Sequence, residues 1–187
     1  LFDAEKGHKL YQRHMRLMRL ADELRFDGIC INEHHNTVYS LDAGTGKIEW
    51  HTNLAAPVPL SALPCGNIDP LGITGTPVYD AGSGHVFLVA EHGGAVRHVL
   101  YALDASSGRV ARSKSVDLPG VSARDMQQRG ALAIAGGRVW VPYGAQAGDC
   151  GNYKGRVVGV PLDGGDDVVF YSPPTERGGG NLRQDGG

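Results

Sequence analysis

Two periodicities divide the chain. Between Lys6 and Leu24 the apolar positions Leu10, Leu17, Ala21 and Leu24, flanked by Tyr11 and Met18, recur at helical spacing, while Lys9, Arg13, Arg16, Arg19 and Glu23 take the other face. This pattern predicts an amphipathic helix, with Asp3 placed to cap its start. Asp27-Gly28 supplies a turn, and the apolar run Ile29-Cys30-Ile31 then predicts a short buried strand of the parallel type. From Val38 onward the period falls to two. Short alternating runs are separated by turns rich in Asp and Gly, as β-hairpins require.

The hairpins repeat. Val38-Tyr39-Ser40-Leu41-Asp42-Ala43-Gly44-Thr45-Gly46-Lys47 aligns with Leu100-Tyr101-Ala102-Leu103-Asp104-Ala105-Ser106-Ser107-Gly108-Arg109, and a weaker copy runs from Val157 to Gly165. The spacing is about 60 residues. In these turns Asp42, Asp104 and Asp163 can bond their own backbone, and Gly46 and Gly108 can supply positive φ. Ahead of the second copy lie the segments Thr76 to Asp80 and Gly84 to Glu91, and Val110 to Val116 follows its turn; the third set runs Gly130 to Ala135, Arg138 to Tyr143, Arg156 to Leu162 and Val168 to Tyr171. Four antiparallel strands per repeat predict propeller blades. The expected fold class is mainly β: a partial β-propeller of about two four-stranded antiparallel blades over 76–172, preceded by the hairpin Val38 to Asp42 and Lys47 to Leu54 and by the N-terminal amphipathic helix and short strand.

Composition agrees with many turns and modest sheets, since 28 of the 187 residues are Gly and only 7% are aromatic. A net charge of −2 from residues of both signs gives no chain-wide electrostatic case for nucleic acid or an anionic membrane. No apolar run is long enough to span a bilayer, and the basic start lacks the apolar core of a signal peptide. The chain opens on Leu1 rather than Met, so an upstream piece is expected.

The three cysteines show no metal-ligand spacing. Cys30, within an apolar run, reads as a small buried hydrophobe. Cys65 and Cys150 stand in matched Cys-Gly-Asn loop contexts, which makes them the pair to bridge, although spacing alone does not decide it. Asp69, Asp80, Asp149, Asp163, Asp166 and Asp167 sit in turn-forming positions, and Gly164-Gly165-Asp166-Asp167 lacks the oxygen-donor alternation of a calcium loop. His85, His92 and His98 fall near strand ends and are expected to face solvent. Ser61 and Ser115 have no nucleophile motif around them. After Pro173-Pro174 the Gly-rich stretch to Gly187 cannot repay its ordering entropy, and disorder is expected beyond about Thr175.

Two family resemblances attach to these residues. Ala21-Asp22-Glu23-Leu24-Arg25-Phe26-Asp27-Gly28 followed by Ile31-Asn32-Glu33-His34-His35-Asn36-Thr37 resembles the flavin-dependent, luciferase-like monooxygenases, about a fifth of the chain. The resemblance implies a TIM-barrel segment in which His34 lies in the flavin pocket, with His35 beside it. The Leu-Asp-Ala-x-x-Gly-Lys pattern, closed by Trp50, resembles the PQQ-like, quinoprotein-type β-propeller repeat over residues 38–172. In that family the tryptophan packs on a neighbouring blade, and the loops around Cys65 and Cys150 look like those of exported members. Arg112 stands where the first copy has Trp50. Neither an adjacent cysteine pair nor a Glu, Asn and Asp constellation is present to assign to PQQ and calcium, so PQQ and flavin enter by resemblance alone and no cofactor or metal is expected.

Together these observations predict three parts: 1–37 resembling the start of a luciferase-like barrel, 38–172 as incomplete blades, and the tail 173–187. The text reads as a fusion or fragment with its join at Val38 to Asp42. The expected function is a non-catalytic propeller fragment, a binding or scaffold module of an exported quinoprotein-like protein; the alternative is a fragment of a flavin-dependent monooxygenase. The propeller part implies a periplasmic or extracellular compartment and the luciferase-like part the cytoplasm. Exposed blade faces call for another chain or missing blades as partner, with no nucleic acid and no membrane insertion.

Overall fold

The computed structural model describes residues 35–171, the backbone of 29–33, and residues 9, 12, 13, 16, 17, 19–21, 23 and 24. His34, the side chain of Cys30, the Asp27-Gly28 turn and the tail 173–187 lie outside the described residues. The described positions between 9 and 23 are helical, as their periodicity predicts, and Leu24 N–H donates to Leu20 C=O at 2.9 Å.

Three blade-like antiparallel sheets follow. The first contains β1 (Ile29–Glu33), β2 (Thr37–Leu41) and β3 (Ile48–Asn53) in that order. Here the sequence expectation is corrected: β1 is not a parallel strand but pairs antiparallel with β2, Ile31 opposite Tyr39. The reason is chain length. Only residues 34–36 separate the strands, enough for a hairpin and far short of the dozen or so residues a parallel crossover needs. Asn36 closes this turn with φ +62, a left-handed conformation that Asn tolerates better than most residues. Its buried amide donates to the Glu91 carbonyl at 2.8 Å and its own carbonyl accepts from Leu54 N–H at 3.0 Å, so the turn is pinned to the next sheet and to the end of β3. What reads as an isolated hairpin is therefore a three-stranded sheet.

The second sheet is β4 (Val78–Asp80), β5 (His85–His92), β6 (Arg97–Asp104) and β7 (Val110–Ser115), each paired antiparallel with the next. The third contains β8 (Met126–Gln127), β9 (Ala133–Ala135), β10 (Arg138–Ala145), β11 (Arg156–Pro161) and β12 (Val169–Tyr171). Its central strand β10 pairs with β11, and also with β9 through 138–140 and β8 through 144–145. Of the strand expected over 130–135 only 133–135 is extended, and β8, ahead of it, is an additional short strand. Pro142, which has no N–H to offer a ladder, lies in the gap between the two pairings, and a Cβ on Gly130 would sit 2.8 Å from its ring.

Burial explains why β5 is an almost unbroken apolar run while the outer strands alternate. Phe87 and Val89 on one face join a core with Leu100, Ala102, Val139, Val141, Tyr143, Val158 and Val160 of the second and third sheets. Leu88 and Ala90 on the other face pack with Val38, Ile73 and Leu103. The middle sheet is covered on both sides, which demands apolar residues at every position. β3 and β7, by contrast, alternate between exposed and half-buried positions.

Candidate functional site

The repeat-defining residues come together where one sheet meets the next. Asp42 accepts from Thr45 N–H at 2.6 Å and from the Thr45 hydroxyl, while Gly46 takes φ +69. Asp104 accepts likewise from the backbone and hydroxyls of Ser106 and Ser107, with Gly108 at φ +68. These hydrogen bonds hold both carboxyls below the usual carboxylate range, the Thr45 hydroxyl first for Asp42 and that of Ser106 first for Asp104. Asp163 caps the third, shorter turn through Gly165 N–H at 2.9 Å.

Each of the first two sheets grips the turn of its successor. Trp50 Nε1 donates to the Ala105 carbonyl at 2.8 Å and Thr52 Oγ1 to the Gly108 carbonyl at 2.6 Å. The indole covers Gly108 so closely that a Cβ there would lie 2.3 Å from Cε3. In the second sheet Arg112 and Lys114 occupy the corresponding positions of β7. The Arg112 guanidinium donates to the carbonyls of Leu162 at 2.5 Å and Asp163 at 3.0 Å, and Lys114 Nζ donates to the Gly165 carbonyl at 2.7 Å and to Asp166 at 2.8 Å. Arg112 is therefore not a lost tryptophan; it replaces an aromatic lid by a fork of charge-assisted hydrogen bonds to the same turn. Gly108→Ala, strained in φ and driven into the indole, is expected to lower stability by roughly 1–3 kcal/mol, read as a shift in the denaturant midpoint.

A disulfide ties the loops at one end of the sheets. Cys65, in the connection between the first and second sheets, is bonded to Cys150, in the connection between β10 and β11, with Cα atoms 6.1 Å apart and a sequence separation of 85. Asp125 supports the second of these loops by accepting from Asn152 N–H at 3.1 Å. Close in sequence to both tether and support, an open cleft of about 450 Å³ is lined by Ser61 and Ala62, by Gly94 and Val96 of the β5–β6 turn, and by Ser122, Ala123 and the exposed Arg124. Three separate connections thus converge on one concavity.

A buried polar cluster lies between the second and third sheets, and sequence reasoning misses it. His98, expected to face solvent, is 1% exposed, and His92 is buried as well. His98 Nδ1 and backbone N–H both meet Asp117 Oδ1, at 3.1 and 2.8 Å, while Nε2 lies 3.6 Å from the buried Glu91 carboxylate. Glu91 Oε1 also accepts from Gln128 N–H of the third sheet's inner edge at 3.1 Å, and the Tyr143 ring stands edge-on to the imidazole at 5.1 Å. Burial alone would depress the His98 pKa. The Glu91 charge and the Asp117 hydrogen bond outweigh it and raise the value from 6.5 to about 9, so the ring carries its second proton. Burial, followed by the Glu91 and Asp117 charges, pushes the Tyr143 hydroxyl well above its ordinary value, and it donates to the Val116 carbonyl at 3.1 Å. One signal for this cluster is present in the sequence: Glu91 continues the Phe87, Val89 alternation and so must share their buried face.

The cluster is not arranged to hold a metal ion. Its carboxylates face the imidazole on opposite nitrogens instead of converging on a point; Glu91, the only fully buried carboxylate among the described residues, gives Oε1 to Gln128 N–H and lies beside His98, while its Oε2 has no hydrogen-bond partner. No group of three His, Cys, Asp or Glu side chains among the described residues is arranged to hold a metal ion. Cys65 pairs across a sequence separation of 85, not with an adjacent cysteine. Among the described residues there is thus neither an adjacent cysteine pair nor a side-chain cluster arranged for a metal ion.

Comparison with known proteins agrees with the fold. A family model described as outer membrane protein assembly factor BamB matches residues 2–185. No curated protein matches the chain. Among solved structures, a europium-containing methanol dehydrogenase is similar at TM-score 0.54 and 19% identity over 80% of this chain, and a quinohemoprotein alcohol dehydrogenase from Comamonas testosteroni at 0.52 and 18% over 77%. This chain spans 24% and 19% of their respective lengths, and at such identities the likeness is one of fold alone. The family match takes in the N-terminal segment that resembles luciferase-like monooxygenases, and the antiparallel β1–β2 pairing is that of a blade, not of a TIM barrel. Since the match runs through nearly all of the 187 residues, the chain belongs to the family of the outer membrane protein assembly factor BamB.

Proposed function

We propose that this chain is a non-catalytic propeller-type module that binds another protein through its disulfide-tied loop face, in an exported setting connected with outer membrane protein assembly. The observation that carries the reading is the convergence of three inter-strand connections on the cleft around Arg124, one of them the connection that also carries Cys65 of the bridge. A concavity built from loops on rigid sheets is a common form of binding surface. The family description supports an assembly role, and a disulfide suits an oxidising compartment outside the cytoplasm. The ionisable groups buried between the sheets lie outside this cleft. Ser61 and Ser122 line it without a histidine or carboxylate beside them among the lining residues.

The test pairs a binding assay with an activity assay. Purified chain, titrated with a fluorescent unfolded outer membrane β-barrel polypeptide, is expected to bind, and the cleft substitutions Ser122→Trp and Arg124→Glu to weaken binding by about tenfold or more. Thermal melts should be unchanged, because both residues are exposed. A dye-linked assay with added PQQ and calcium should show no oxidation of alcohols. Cofactor-dependent turnover, or binding indifferent to both cleft substitutions, would overturn the proposal.

A further inference from the structure

The chain-wide charge of −2 conceals a strong local asymmetry. Residues 6–24 contain Lys6, Lys9, Arg13, Arg16 and Arg19 against only Asp22 and Glu23, so the stretch is basic and the remainder of the chain is distinctly acidic. In the helical stretch these cations accompany an uncovered apolar stripe: Leu17, Leu20 and Leu24, spaced i, i+3, i+7 on one face, are 54%, 46% and 62% exposed. Of the described residues in that stretch only Ala21 is even half-buried. Although the hydrophobic pattern alone assigns Arg13, Arg16 and Arg19 to the opposite face, Arg13, one turn before Leu17, is in line with the leucines, and Arg16 and Arg19 fall to one flank of the stripe.

We propose that this helix is a docking element for the surface of an anionic phospholipid bilayer, lying in the interface with Leu17, Leu20 and Leu24 among the upper acyl chains and Arg13, Arg16 and Arg19 at the headgroup phosphates. The choice of occupant rests on charge complementarity. A narrow apolar stripe beside a cluster of long cationic side chains suits a surface where the stems follow the leucines inward and the guanidiniums return to phosphate level. No described helix is long and apolar enough to cross a membrane, so this element lies on the bilayer and does not span it. The proposal is independent of the cleft, which involves none of these residues.

Sedimentation with lipid vesicles tests it directly. The purified chain is expected to pellet with vesicles containing about one-third phosphatidylglycerol in phosphatidylcholine and to stay in solution with phosphatidylcholine alone, because anionic headgroups supply the attraction for juxtamembrane Arg and Lys. The triple variant Arg13→Gln, Arg16→Gln, Arg19→Gln should weaken binding on the order of a hundredfold. Leu17→Ser, Leu20→Ser, Leu24→Ser should weaken it about tenfold or more by removing the inserted apolar surface. Raised salt should reduce binding of the parent chain. All six side chains are exposed, so melting of the sheets serves as the folding control and should not move. No sedimentation with anionic vesicles, equal sedimentation with both vesicle types, or a concentration-dependent dimer abolished by the leucine substitutions would each overturn the proposal, the last in favour of a second copy of the chain as the occupant.

Discussion

Glu91→Ala is expected to destabilise the chain by roughly 3–5 kcal/mol, the largest effect of any single substitution considered. The carboxylate is fully buried, accepts from Gln128 N–H of the third sheet and faces the protonated His98. Truncating it leaves an imidazolium 1% exposed with only Asp117 as counter-charge, and it strips a backbone donor of its partner in the same stroke. His98→Ala should cost a similar amount for the converse reason, since two carboxylates then lie close together with no cation between them. The double variant should lose less than the two single losses combined, because each single change already breaks the shared pair. Chemical denaturation of the four proteins checks all three statements, and a loss below about 1 kcal/mol in either single variant would mean that the pair is no better than a surface ion pair.

The same cluster sets a pH window. His98 titrates near 9 in the folded chain against 6.5 ordinarily, so the stabilisation it contributes is fully present below about 6.5 and is lost as pH rises through 9. The span corresponds to roughly 3 kcal/mol. Asp117 shifts the other way: burial alone would raise its pKa, but the hydrogen bonds from His98 more than offset that and lower it, so its contribution is present above 3.8 and lost as pH falls through the depressed value. Stability should therefore be flat across mildly acidic pH and decline toward pH 9, and the alkaline decline should be absent from His98→Ala.

The sequence carries the repeat better than it carries the interfaces. Turn chemistry is local: Asp104, the serines after it and Gly108 lie within five residues, so the hairpin can be read directly from the chain. The direction of β1 is less legible, because an apolar triplet looks alike in a parallel or an antiparallel strand, and the residue that settles the matter, Asn36, acts through a carbonyl 55 positions away. The burial of His98 is less legible still. Its partners come from three different elements, and a histidine at a strand end has no local mark that distinguishes a solvated ring from one roofed by Tyr143 of another sheet. Arg112 illustrates the same limit from the other side. Judged against Trp50 it looks like decay of the repeat, and only the carbonyls of Leu162 and Asp163 reveal that the inter-sheet grip is kept by different chemistry.

Removing the Cys65–Cys150 bridge should be the second large perturbation. The bridge closes a loop over a sequence separation of 85, which runs through the whole second sheet, so in the unfolded chain it restrains nearly half the molecule. On the chain-entropy account such a closure is worth roughly 2–5 kcal/mol. In the folded state little should change at a distance, because the sheets have their own inter-sheet contacts at Trp50 and Arg112. Cys65→Ser with Cys150→Ser is therefore expected to lower the denaturant midpoint while the far-ultraviolet spectrum of the native protein stays the same. The local consequence is sharper: freed from Cys150, the connection carrying Ser61 and Ala62 loses its tie to the third sheet, and hydrogen exchange should quicken there and around Gly148 before it quickens in β5 or β10. If peptide mapping without reductant finds both thiols free in the parent chain, or if exchange quickens uniformly across the three sheets, the bridge is not the element that holds the loop face in place.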